Sequence, residues 1–183
     1  MMKRSAAAVA IGVLIVGQAS PALAASDCIP VQGKITNNFI AANSTLGVVA
    51  MEFGPKRDAI KLKCALVGVG QPSASPTDIH FIHTISCDDN AITVPAFDGS
   101  GDVPVHSSIV LETTGGILPP VMANELFRFR ETSVPIVGAG ARGLFAGVTG
   151  GQIVVDGVVY KGPVAGVPGP LDMIFSGQTC FAN

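Results

Sequence analysis

Apolar and polar residues alternate along most of the chain, and short clusters of Gly, Pro, Asn and Ser interrupt the alternation. In "DIHFIHTISC" (78–87), Ile79, Phe81, His83, Ile85 and Cys87 share one phase, while His80, Ile82, Thr84 and Ser86 share the other. A period of two is the signature of a strand with two unlike faces. Comparable runs are "STLGVVAMEF" (44–53), "AIKLKCALVGV" (59–69), "VPVHSSIVLET" (103–113), "ANELFRFRETS" (123–133), "GQIVVDGVVY" (151–160) and "PLDMIFSGQTC" (170–180). With "PVQGKIT" (30–36) and "AITVPAF" (91–97) the strands number eight or nine. Many short strands separated by regular turns make an all-β domain, either a sandwich or a barrel.

The cysteines separate these two. "QPSASP" (71–76) is the clearest turn, and a hairpin centred on it sets Cys64 opposite Cys87. Directly opposed residues on antiparallel strands are close enough to bridge. Pairing those two leaves Cys28 with Cys180, a bond between the first strand and the last. A sheet that closes on itself brings its ends together, so this connectivity favours a single antiparallel eight-stranded barrel. Four cysteines allow three connectivities, and the sequence leaves the other two open.

Composition narrows the setting. Lys3 and Arg4, the apolar run "AAAVAIGVLIVG" (6–17) and Ala22-Leu23-Ala24 together read as a signal peptide over 1–24, cleaved to release a domain of 25–183. An exported protein, periplasmic in a bacterium or secreted, with an even number of cysteines is expected to hold disulfides. Without residues 1–24, nine basic residues stand against thirteen acidic ones. That balance argues against a nucleic-acid partner. No later stretch is apolar enough for a membrane helix, and only 13% of residues are charged, too few for long amphipathic helices.

One segment imitates a cofactor site. In "VPIVGAGARGLFAGVTGGQIVVDG" (134–157), Gly138, Gly140 and Gly143 spell G-x-G-x-x-G after an apolar run, and Asp156 closes a second run. A dinucleotide fold needs a helical crossover of about ten to twelve residues at that point. Only eight residues separate Gly143 from Gln152, and three of them are glycine. The segment therefore reads as strand, glycine turn and strand, and no cofactor or metal is called for.

Gly138, Gly140, Phe145, Ala146, Gly147, Thr149 and Gly150 match a signature of the form "GGTGxFAGATG". In this the chain resembles the allene oxide cyclase and dirigent barrel group. The usual "GTG" is Gly138-Ala139-Gly140 here, and Ala141-Arg142-Gly143 lengthens the loop. A looser similarity runs through "LKC", "HTISCDD" and "FRFRETSVPIVG". The resemblance implies an eight-stranded antiparallel barrel whose lumen holds a hydrophobic small molecule and guides its cyclisation or coupling. It also implies a structural glycine loop (Gly138, Gly140, Gly147, Gly150) with Phe145 tucked under the barrel as a plug. Allene oxide cyclase relatives are often oligomeric, although no feature of this sequence requires it.

The candidate chemistry is sparse. His80 and His83 would share a helix face, but on a strand they point apart, which disfavours a shared metal. His83 falls on the more apolar face, as a hydrogen-bonded core histidine or as the candidate acid or base in the lumen. In "ELFRFRE" (125–131), Glu125, Phe127, Phe129 and Glu131 share one phase and Arg128 and Arg130 the other, which turns the arginines to solvent. Glu131 is then expected near the lumen at a strand end, hydrogen-bonded to the glycine loop or catalytic. Phe81, Phe127, Phe129 and Tyr160 are the candidate ligand contacts, with Tyr160 alternatively a rim residue at a strand end, and Asp88-Asp89-Asn90 reads as a turn. Two functions follow: an exported disulfide-braced barrel that binds a small apolar ligand, or a cyclase or isomerase of the allene oxide cyclase type that works by confinement.

Overall fold

In chain order the strands are β1 (Ser26–Ala41), β2 (Ser44–Phe53), β3 (Ile60–Gly70), β4 (Asp78–Asp88), β5 (Thr93–Pro95), β6 (Asp102–Pro104), β7 (Ser107–Leu118), β8 (Glu125–Pro135), β9 (Val148–Lys161) and β10 (Pro168–Ala182). The structure, a computed structural model, describes residues 26–88, 93–95, 102–104, 106–165 and 167–182. The signal-peptide expectation for 1–24, and Asp89 and Asn90 of the expected turn, lie outside the described residues. Eight strands close into an antiparallel barrel in the order β1-β10-β9-β8-β7-β4-β3-β2, so the expected eight-stranded barrel is the fold.

Two strand expectations need correction. The run 91–97 contributes only β5, which pairs with β6 in a separate two-stranded ribbon. The run 103–113 divides between β6 and β7. Pro95 and Pro104 end those short strands, and a residue without an N–H cannot be placed inside a fully paired barrel wall.

Closure is carried by β1 and β10, paired from Ser26↔Ala182 to Asn37↔Leu171. The register sets Cys28 opposite Cys180 and Cys64 opposite Cys87, and both pairs are disulfides. Along each strand every second residue enters the barrel. In β3, Leu62, Cys64 and Leu66 are buried while Lys61 and Lys63 face out. Val49, Met51, Ile109, Leu111, Ile153, Val155 and Phe175 complete much of the interior. Each such aliphatic or aromatic side chain adds about 1.5–3 kcal/mol when fully removed from water. No helix among the described residues is long and apolar enough to cross a membrane.

The glycine-rich segment closes one end. Gly138, Gly140, Gly143 and Gly147 all have positive φ, between 60° and 80°. At Gly143 a side chain would also collide with Ser107, whose Oγ accepts a hydrogen bond from the Leu144 N–H at 2.7 Å. The only helical geometry there is one 3-10 turn, Gly143–Phe145. Phe145 is buried, meeting Phe53 edge-on at 5.4 Å, and Phe53 meets Phe181 at 6.3 Å. Gly150, expected within the loop, instead lies in β9 opposite Cys180 without positive φ; Gly151 has φ 126°.

Candidate functional site

The other end of the barrel is open. A cavity of about 440 Å³ enters the lumen between the β1–β2 turn and the β3–β4 loop, and Phe39, Phe81, Phe127, Phe129, Leu171 and Met173 form much of its wall. Below it lies a second void of about 30 Å³, room for a water. His83 and Glu131 line both spaces, so they sit where the cavity narrows into the packed core.

Alternation places Glu131. β8 buries Phe129, Glu131 and Ser133 and turns Arg130 and Val134 outward. Glu131 pairs with Gly115 on β7 and Val155 on β9, mid-strand rather than at a strand end. The expectation of a bond to the glycine loop is therefore corrected: that loop is at the far end of the barrel, and Glu131 has no hydrogen-bond or ion-pair partner among the described residues. With 5% of its surface exposed, its carboxyl is pushed up to about 7 by burial.

His83 comes from β4, where Ile85 and Cys87 share its inward phase. Its Nδ1 lies 2.9 Å from Thr113 Oγ1, which lies 2.8 Å from Ser133 Oγ. Phe81 stacks on the imidazole, with ring centres 5.4 Å apart and planes within 5°. Burial lowers its pKa to about 4, so the ring is neutral at ordinary pH. Gly68, opposite His83 on β3, makes room for it: a Cβ there would lie 2.5 Å from Thr45 Oγ1 and 2.7 Å from His83 Nε2. Thr45 Oγ1 is buried with no hydrogen-bond partner. Asn37 is 1% exposed, lines the same cavity, and uses its Oδ1 to accept from the Asn38 N–H at 2.8 Å.

His80 is on the opposite face of β4 from His83, its Nε2 3.0 Å from Glu112 Oε1. Phe81, Phe127 and Phe129 line the cavity, and Tyr160 does not. Val159 is the fully buried residue of that pair and lines the cavity, while Tyr160 is half-buried on the other side of the wall. Glu125 also leaves the lumen, because the β8–β9 register shifts between Glu125 and Phe127. Its carboxylate accepts from the Val121 and Met122 N–H groups and from both Nε and Nη2 of Arg128, which holds its pKa at about 2. Arg130 pairs outside with Asp156 at 2.7 Å.

Sequence reasoning missed Asn37, Thr45, Thr113 and Ser133. Their signal was a polar residue in the inward phase of an otherwise apolar alternation. Phe39 lay beyond the expected end of its strand. Comparison with protein-family models, with curated proteins and with solved structures finds no match.

Proposed function

We propose that this is an exported barrel that binds a small, largely apolar molecule in its lumen, with the polar end of that molecule at Glu131 and His83. The observation that carries the reading is the open cavity walled by phenylalanines, at whose floor an unpaired carboxyl and a neutral imidazole converge. A concave apolar site with a few convergent polar groups is the usual form of a small-molecule site. Phe145, buried against Phe53, fills the opposite end of the barrel. Two disulfides suit an oxidising compartment, in keeping with a signal peptide over 1–24. The similarity of the glycine-rich segment to allene oxide cyclase and dirigent barrels supports the same reading. Native mass spectrometry of protein purified from the cells that make it should show a co-purifying small molecule released on denaturation. Bare protein mass alone would count against the reading.

One observation favours a cyclase or isomerase as a second reading. Glu131, buried at the floor of the cavity with its carboxyl pushed up to about 7, is placed to deliver a proton to a bound molecule. In that case the molecule recovered after incubation is an isomer of the molecule added, and Glu131→Gln abolishes the conversion.

A further inference from the structure

The charges around the cavity restrict what enters it. Among the described residues, neither lysine nor arginine lines it. Its ionisable side chains are Glu131 from β8, His83 and His80 from β4, and Asp78 at the start of β4. The strands flanking Glu131 bring no other charge to face it. β7 offers Thr113 and Gly115, and β9 offers Val155, while Asp156 is engaged outside by Arg130. β1, β2 and β10 contribute Asn37, Thr45, Leu171 and Met173. On the outer face, His80 is satisfied by Glu112.

Building on the lumen-binding reading, we infer that the guest is a hydrophobic amine: an apolar body with a single protonated nitrogen that reaches Glu131. A buried carboxyl without a partner is an incomplete ion pair, and a cationic guest completes it. Phe127 and Phe129, which line the path, are aromatic surface of the kind that attracts a cation. A carboxylate guest would force Glu131 to keep its proton and share it between two carboxyls, with no lysine or arginine among the described lining residues to offset the charge. A neutral alcohol would exchange a hydrogen bond with the protonated Glu131 carboxyl but would complete no ion pair. Because the Glu131 carboxyl titrates at about 7, the amine should be bound more tightly as pH rises through neutrality, and His83, neutral above about 4, does not oppose it.

Isothermal titration of the disulfide-bonded domain (25–183) with decylamine, decanol and decanoate tests this. At pH 7.5 decylamine should bind at least about tenfold tighter than the other two, a gap of about 1.4 kcal/mol. Its affinity should fall about tenfold between pH 7.5 and pH 6 as Glu131 takes up its proton, with no such fall for decanol. Glu131→Gln, nearly isosteric, should erase the preference of decylamine over decanol. Asp78→Asn, at the rim, serves as a second variant and should reduce the preference only slightly. Decanol or decanoate binding as tightly as decylamine, or a preference that survives Glu131→Gln, overturns the amine assignment and leaves lumen binding standing. If none of the three binds, lumen binding and the amine assignment fall together.

Discussion

Glu131 is buried without a partner among the described residues, and its carboxyl is pushed from 4.5 up to about 7. Between those values the folded protein holds a proton that the unfolded chain has released. Its contribution to stability is therefore full below pH 4.5 and is lost as pH rises to 7. His83 has the opposite sign: lowered from 6.5 to about 4, it contributes fully above 6.5 and loses that contribution as pH falls to 4. Each swing amounts to about 3 kcal/mol, so over pH 4.5–6.5 the two largely offset each other. Glu125, held down by Arg128, acts below this window, where its contribution is lost as pH falls toward 2. Thermal melts should show wild-type stability nearly level from pH 4.5 to 6.5. Glu131→Gln should rise steadily over that range and flatten above it. Parallel profiles for the two proteins would contradict the assignment of both groups.

At the scale of single elements, the glycine loop is ordered by two different demands. Gly143 combines positive φ with the close approach of Ser107, whereas Gly147 has positive φ but open space around it. Gly147→Ala should cost about 1 kcal/mol in denaturant titrations, the backbone penalty alone. Gly143→Ala should cost about 2–4 kcal/mol, because overpacking adds to that penalty. Equal losses would show that the Ser107 contact matters little.

The same elements show what was legible in the sequence. β2, β3 and β4 begin and end within one residue of the limits read from alternation and turn residues. The hairpin centre also fixed the register that joins Cys64 to Cys87. Inward phase alone carried His83 and Glu131 to the lumen. What escaped depends on the third dimension. Tyr160 falls on the outer phase of β9 because Val155, Gly157 and Val159 pack inward. The shift at Glu125 arises from pairing with a neighbour distant in sequence, as does the opposition of Gly68 to His83 that frees space for its ring.

The whole molecule is a barrel closed at one end and open at the other. Cys28 and Cys180 lie 152 residues apart, and a crosslink of that span stabilises the closed sheet by about 5 kcal/mol through the entropy of the unfolded chain. That restraint joins the strands where the sheet closes, while the cavity opens at the opposite end, beside the turns at Ala42–Asn43 and Gln71–Pro72. The outer wall offers a rival apolar surface, since Leu46, Val48, Val67 and Val69 are exposed side by side on β2 and β3. An apolar guest therefore has two places to go, and lumen binding is the inner one. Amide NMR of the folded domain titrated with decylamine discriminates between them most directly. The predicted shifts cluster at Asn43, Gly70, His83, Glu131 and Leu171, around the mouth and floor of the lumen. Shifts confined to Leu46, Val48, Val67 and Val69 would contradict the account.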